Sequence, residues 1–120
     1  MVIQQEQFSA GIFMATDIFR DVQKEIASAV SSNKVVLFMK GSPQFPQCGF
    51  SATAVKMLSD VGVSDFAFVN VLEDQEIREG VKKYSSWPTI PQLYVDQEFV
   101  GGADIMREMH QSGELARLLK

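Results

Sequence analysis

The sequence PQCGFS at residues 46–51 contains the only cysteine of the chain and follows a predicted buried strand. The apolar run Val35–Met39 upstream is unbroken, which is typical of a central strand that is covered on both faces. A turn-rich loop connects this run to Cys48. Beyond the cysteine, apolar residues repeat at the spacing of a helix, at Ala54, Val55, Leu58 and Val61. This order of strand, loop and helix places Cys48 at or just before a helix N-terminus.

A cysteine at this position is expected to be reactive. Unpaired backbone N–H groups and the positive end of the helix dipole favour a thiolate, so the pKa of Cys48 should lie below the free value of about 8.5. A lone cysteine is more often a small buried hydrophobe, but the Gly- and Pro-rich loop at residues 41–46 suits an exposed sulfur. Ser51 occupies the position of the second cysteine in a C-x-x-C motif, so no disulfide can close there.

Length and composition fit one soluble domain. The chain has 120 residues, of which 46% are hydrophobic, and a net charge of -4, which argues against a nucleic-acid partner. No apolar run approaches the roughly 18 to 20 residues of a membrane span. A single cysteine excludes an internal disulfide and fits a reducing compartment. We therefore predict a cytoplasmic protein, although a mature mitochondrial form would have the same composition.

The N-terminal residues differ from the rest of the chain. Residues 1–13 lack helix caps and clear periodicity, and we expect them to be an upstream-start or cloning extension within a flexible segment at residues 1–16. The first nineteen residues contain no Lys or Arg, unlike a signal or transit peptide. The folded domain is expected to span residues 17–120, and its first helix to run from an N-cap at Thr16 or Asp17 to about Ser31.

The remaining pattern predicts an α/β fold. Residues 66–71 are interpreted as a second buried strand parallel to the first, residues 74–84 as a helix, and residues 92–95 and 98–100 as a hairpin. A helix beginning near Asp104 and ending at Gly113, followed by a short last helix, completes the chain. The prediction is a single domain with a four-stranded mixed sheet flanked by about five helices.

Four separated motifs resemble those of one family. They are KGSP at residues 40–43, CGFS at 48–51, WPTIPQ at 87–92 and VGGAD at 100–104. The chain resembles, over about residues 17–120, the monothiol glutaredoxins of the CGFS type, which have the thioredoxin fold. The resemblance implies that Pro91 is a cis proline and that the backbone of Ile90 pairs with glutathione beside Cys48. The glutathione-binding residues that it implies are Lys40, Phe50, Arg78, Lys82, Ile90, Gly102, Ala103 and Asp104.

The charges of these residues match the charges of glutathione. The resemblance assigns the glycine-end carboxylate to Lys40 and Arg78, with Lys82 as a further cation. It assigns the other carboxylate to the backbone N–H groups of Ala103 and Asp104, and the ammonium to the Asp104 side chain. Without the resemblance, Arg78 and Lys82 would be interpreted as a solvated helix face, because they are spaced i and i+4.

The resemblance also implies a function. Neither Ser51 nor Ala103, where many relatives have Cys, can resolve a mixed disulfide, so general reductase activity should be weak at most. A [2Fe–2S] cluster usually takes four thiolates, and two Cys48 sulfurs with two glutathiones supply that number. We therefore expect an iron–sulfur cluster carrier for recipient apoproteins, homodimeric with the cluster and monomeric without it, with Cys48 as the metal ligand. A BolA-like partner is a further implication of the family.

The alternative is an enzyme. In that hypothesis the chain is a glutathione-dependent thiol–disulfide oxidoreductase that removes glutathione from proteins, with Cys48 as the catalytic nucleophile. Glutathione from solution would then act as the resolving thiol.

Overall fold

The computed structural model describes residues 20–120. The predicted extension at residues 1–16 and the predicted N-caps Thr16 and Asp17 lie outside the described residues. The described elements, in chain order, are α1 (Val22–Ser32), β1 (Val35–Met39), α2 (Gly49–Asp60), β2 (Ala67–Asn70), a 3₁₀ turn (Val71–Glu73), α3 (Gln75–Ser85), β3 (Gln92–Val95), β4 (Glu98–Gly101), α4 (Ala103–Ser112) and α5 (Glu114–Leu118).

The four strands form one mixed sheet in the order β2-β1-β3-β4. β1 pairs in parallel with β2 and antiparallel with β3, and β3 and β4 form the predicted hairpin. Asp96 and Gln97 at the hairpin turn both have positive φ, as a two-residue turn between twisted strands requires. Within residues 20–120, five helices flank this sheet, so the predicted fold class is confirmed. No helix within residues 20–120 is long and apolar enough to span a bilayer.

β1 is the centre of two hydrophobic cores. Its side chains alternate between the faces of the sheet, and all five residues are buried. Leu37 and Met39 pack with residues of α2, α4 and α5, whereas Val36 and Phe38 pack with residues of α1 and α3. The prediction of a central strand that is covered on both faces is confirmed.

The prediction that residues 66–71 form a second buried strand is wrong in its burial. β2 is shorter, lies at the edge of the sheet and contacts only one other strand, β1. Its residues are partly buried at most, and Phe68 is 40% exposed. An apolar run predicts a strand covered on both faces, but the layers that pack on this sheet leave Phe68 of the edge strand exposed.

The helix predicted from residue 16 or 17 to about Ser31 does not run unbroken, because residues 20 and 21 are not helical. α1 begins at Val22, because the Asp21 side chain accepts a hydrogen bond from the Lys24 N–H at 3.0 Å. Arg20, just before it, bonds Asp74 at 2.7 Å and thereby ties the start of α1 to the start of α3. Asp74 also caps α3 by accepting from the Glu76 and Ile77 N–H groups. This junction holds the helix that carries two of the predicted site cations.

The junction of β4 and α4 requires a glycine. Gly101 has a φ of +151°, and a Cβ at this position would lie 2.6 Å from the Cβ of Ile105. We expect Gly101→Ala to lower the free energy of unfolding by about 1–3 kcal/mol, because the backbone or α4 must shift. Urea denaturation measures this change.

Gly49→Ala is the matched control. Gly49 lies in the first turn of α2, and no heavy atom lies within 4 Å of an added Cβ. This variant should be unchanged or more stable by about 0.5 kcal/mol, since alanine is the better helix former. Equal effects of the two substitutions would contradict the steric requirement at Gly101.

Candidate functional site

The predicted site residues lie around one groove of about 360 Å³. The groove is bordered by the loop after β1, the starts of α2 and α4, the exposed side of α3, and the loop before β3. Cys48 and all eight residues that were expected to bind glutathione line it. The site residues between positions 78 and 104 are distant from Cys48 in the sequence, and only the tertiary structure brings them close to it. The groove also includes residues that the resemblance does not assign to glutathione binding, namely Trp87, Pro88, Thr89 and Pro91.

Cys48 is the N-cap residue of α2 and is half-buried. Its thiol makes no capping hydrogen bond of normal geometry, yet the N–H groups of the first helical turn act on the sulfur. Partial burial by itself would raise the pKa of the Cys48 thiol. The N–H groups of Ser51 and Phe50, the Lys40 charge and the Ser51 hydroxyl outweigh burial, and the net pKa is lowered. The predicted activation of this thiol is confirmed in direction.

Ser51 joins the end of β1 to the start of α2. Its side chain is completely buried, and its Oγ accepts a hydrogen bond from the Lys40 N–H at 3.1 Å. The Lys40 carbonyl accepts from the Gln47 N–H at 2.9 Å, on the other side of the same loop. These two bonds keep Lys40 beside the sulfur of Cys48, where its charge lowers the thiol pKa.

The loop before Cys48 is closely hydrogen-bonded. Gly41 has a φ of +91°, and a Cβ there would lie 2.5 Å from the Phe45 carbonyl oxygen. The Gly41 N–H donates to Asn70 Oδ1 at 2.9 Å, which attaches the loop to the end of β2. Two phenylalanines project from this region, since Phe45 is 73% exposed and Phe50 is 60% exposed. Exposed apolar surface therefore flanks the thiol.

Three cationic side chains line the groove of a chain whose net charge is -4. Lys82 forms an ion pair with Glu79, in which Nζ of Lys82 lies 3.3 Å from Oε2 of Glu79. Lys40 and Arg78 form no ion pair with any residue of the described part of the chain. The groove is thus a local region that favours an anionic ligand.

The start of α4 forms the opposite side of the groove. Its N-cap is Gly102, which has no side chain to occupy the first N–H groups of the helix. An added Cβ at Gly102 would lie 3.2 Å from both the Pro91 carbonyl oxygen and Trp87 Nε1, so the glycine allows close packing. Ala103 is buried and Asp104 is exposed. A helix start of this kind suits a carboxylate.

The loop before β3 completes the groove. The Ile90-Pro91 peptide bond is cis, as the resemblance implies. The Ile90 side chain is buried in the core between the sheet and the helices α1 and α3, although the residue also borders the groove. Trp87 packs against Phe99 with ring centroids 5.7 Å apart. The motif at residues 87–92 was the available signal for this wall, but only Ile90 was assigned to the site from it.

Metal ligands are sparse in the described chain. Within residues 20–120, no three His, Cys, Asp or Glu side chains lie close enough to hold a metal ion together.

Comparisons with known proteins agree with this geometry. A family model described as Glutaredoxin matches residues 35–100. The chain is 60% identical over 102 residues to "Monothiol glutaredoxin-5, mitochondrial" of Lachancea kluyveri, covering 83% of this chain and 71% of that protein. It is 54% identical over 97 residues to "Probable monothiol glutaredoxin 2" of Rickettsia typhi, covering 81% and 86% respectively.

A solved structure shows the same fold. The chain is similar to the solution structure of reduced poplar apo GrxS14, with a TM-score of 0.71 and 51% sequence identity. The similarity covers 82% of this chain and 89% of the poplar chain.

The buried hydroxyl of Ser51 should contribute to the acidity of Cys48, beside the larger effects of the Ser51 and Phe50 N–H groups and the Lys40 charge. We expect Ser51→Ala to raise the thiol pKa, which is measured from the pH dependence of thiolate absorbance in the ultraviolet. The Lys40 N–H loses its acceptor, so the free energy of unfolding should fall by about 1–3 kcal/mol.

The pH dependence of this loss has a defined sign. A lowered folded pKa contributes stability above the unfolded thiol pKa, and that contribution disappears as the pH falls through the folded value. The stability difference between wild type and Ser51→Ala should therefore be larger in alkaline than in acidic buffer. Ser59→Ala, an exposed change in the same helix, is the control and should alter neither property. An unchanged thiol pKa in Ser51→Ala would contradict the role of the hydroxyl.

Proposed function

Since the chain belongs to the glutaredoxin family, and to its monothiol members, we propose that it binds glutathione beside Cys48 and carries a [2Fe–2S] cluster between two copies of itself. Family membership implies a glutathione-related redox or iron–sulfur role. The observation that carries the finer proposal is one accessible, activated thiol beside a cationic groove, in a chain without a second cysteine.

The groove has complementary groups for each charge of glutathione, which has two carboxylates and one ammonium. Lys40 and Arg78 face one carboxylate in this proposal, with Lys82 contributing less because Glu79 already pairs with it. The uncapped start of α4 takes the other carboxylate. The exposed Asp104 side chain is available for the ammonium. Glutathione bound in this way would bring its own thiol close to Cys48.

A cluster carried as cargo fits the available thiols. Such clusters usually take four thiolates, and each chain supplies only Cys48. Two chains and two bound glutathiones complete the set without any further protein ligand. Half of these ligands are small molecules that can exchange, which would allow the cluster to pass to recipient iron–sulfur apoproteins. No other group of potential metal ligands within residues 20–120 competes with this arrangement.

The surface around the thiol supports contact with a second chain. Phe45 and Phe50 expose apolar area on either side of Cys48, and that area would be removed from water in a cluster-bridged homodimer. Without the cluster, we propose that the chain is monomeric. A BolA-like partner remains a prediction from the family. The cytoplasmic location also remains a prediction, and some relatives are named as mitochondrial proteins.

A second candidate function rests on the acidity of the thiol. The lowered pKa of Cys48 suits a nucleophile that accepts glutathione from a glutathionylated protein. The Cys48 sulfur would displace the protein thiolate and form a mixed disulfide with glutathione. A second glutathione thiolate would then release oxidised glutathione and regenerate Cys48. Turnover in a coupled reductase assay, without cluster binding after anaerobic reconstitution, would favour this enzyme over the carrier.

Arg78 provides a sharp test of glutathione binding. We expect Arg78→Met to weaken the affinity for S-methylglutathione by roughly five- to thirtyfold, because a charge-assisted contact at a half-exposed site is worth about 1–2 kcal/mol. Calorimetric titration measures the dissociation constant, and the methylated ligand prevents disulfide exchange.

Lys83→Met is the matched control for Arg78→Met. It removes one positive charge from the same helix, but Lys83 is exposed and does not border the groove. The affinity of this variant should stay within about twofold of wild type, as expected for a screened surface charge. Equal losses in both variants would indicate that net charge alone attracts the ligand.

Cys48→Ser tests the cluster. Reconstitution of the wild type with iron, sulfide and glutathione should give a brown dimer with charge-transfer absorption. The variant lacks the protein thiolate, so it should retain neither cluster iron nor the dimer. It should still bind S-methylglutathione, which separates loss of the ligand from loss of the groove. The carrier proposal fails if the variant holds as much cluster iron as the wild type.

A further inference from the structure

We propose that Gln92 is a positioning residue that holds the loop at residues 87–91 in place as one wall of the groove. The inference rests on the proposed function, because the groove is taken to bind glutathione. Gln92 itself does not border the groove, and it acts through the loop that does.

The Gln92 side chain is completely buried and fully hydrogen-bonded. Gln92 is the first residue of β3, and its exposed fraction is 0%. Its Nε2 donates to the carbonyl oxygens of Trp87 and Thr89, both at 3.1 Å. Its Oε1 accepts from the Tyr94 hydroxyl at 3.2 Å. The two N–H donors of the amide thus bond two residues of the same loop, and its carbonyl oxygen accepts from a side chain in the core.

Tyr94 anchors this arrangement in the core. It is buried among the rings of Phe38, Tyr84 and Phe99, with centroid separations of 5.5 to 5.9 Å. Burial raises the pKa of Tyr94 to about 12, although the Ser85 hydroxyl opposes the shift. The hydroxyl is therefore protonated at neutral pH and available to donate to Gln92. Gln92 cannot turn its carbonyl oxygen toward the loop without losing this donor.

The two loop carbonyls accept from no other protein donor within residues 20–120. They are bonded to a buried amide that does not border the groove, so they are directed into the protein and away from the ligand. Carbonyl oxygens carry partial negative charge and would repel the carboxylates of a ligand if they faced it. Gln92 therefore both orders the wall and keeps it compatible with an anion.

The residue type matters at this position. Leucine or methionine would fill similar space but leave two buried carbonyls without a donor. An ionised glutamate would place carboxylate oxygens against the same carbonyls. An amide of this length is the side chain that can donate twice to the loop and accept once from Tyr94.

The test is the affinity of Gln92→Met for S-methylglutathione. Methionine preserves length and approximate volume, so the core stays filled while both donors are lost. We expect binding about tenfold weaker than that of the wild type, as for the loss of one well-placed contact. The pKa of Cys48 should not change, because the start of α2 makes no hydrogen bond to this loop. Amide hydrogen exchange at Trp87, whose N–H donates to the Lys82 carbonyl at 3.1 Å, should become faster.

Two further variants separate positioning from stability. Ile26→Val lies in the same hydrophobic core, on α1, and should lower the melting temperature without changing the affinity. Tyr94→Phe removes the hydroxyl that donates to Gln92 Oε1 while leaving the ring in the core, and it should weaken binding about two- to threefold while the protein stays folded. The double variant Gln92→Met/Tyr94→Phe should bind like Gln92→Met, since both changes act through the same amide.

Each outcome decides the inference. Gln92→Met affinity within twofold of the wild type, Tyr94→Phe affinity equal to the wild type, or an equal loss in Ile26→Val would overturn it. If the wild type itself does not bind S-methylglutathione, the proposed function is wrong. In that case amide exchange in Gln92→Met still tests the positioning: faster exchange at Trp87 supports it, and unchanged exchange at Trp87 overturns it.

Discussion

The hydrogen bond from the Lys40 N–H to the buried Ser51 hydroxyl is the contact on which the site depends, because it joins the central strand to the helix that carries the thiol. β1 is buried on both faces, so its C-terminal end is among the best-fixed points of the fold. Residues that are hydrogen-bonded to this end of β1 are therefore held in fixed positions. Cys48 is thus held at the N-cap of α2, with Lys40 beside it.

The rest of the groove is assembled from distant parts of the chain. Two ionic and hydrogen-bonding networks support its other sides: Arg20 and Asp74 fix the start of α3, while Gln92 and Tyr94 hold the loop before β3. Both networks are partly or wholly shielded from water, where such contacts are stronger than at an open surface. The side chains of these two networks do not line the groove. The residues available to contact a ligand are therefore largely different from the residues that hold the walls of the groove in place.

The charge distribution and the single thiol define the chemistry together. An acidic chain concentrates three cations around one sulfur, which favours both a thiolate and an anionic ligand. Because Ser51 occupies the position where a second thiol would resolve a mixed disulfide, the sulfur must use a partner from outside the polypeptide. A carrier and a glutathione-dependent reductase both satisfy this condition. In a carrier, the thiolate of glutathione would be a ligand of the cluster. In a reductase, it would attack the mixed disulfide.

The sequence alone determined the central strand, the hairpin, and the position of Cys48, because these depend on local periodicity and on short-range turn and cap signals. The motifs also identified most of the groove. Only the tertiary structure decided that β2 lies at the sheet edge, since strand order depends on partners elsewhere in the chain. It also decided that α1 starts after Asp21, where Arg20 reaches Asp74 at a sequence separation of 54 residues. In the sequence, nothing distinguishes Gln92 from other polar residues. Its role arises on folding, which buries its side-chain amide where it donates hydrogen bonds to two loop carbonyls.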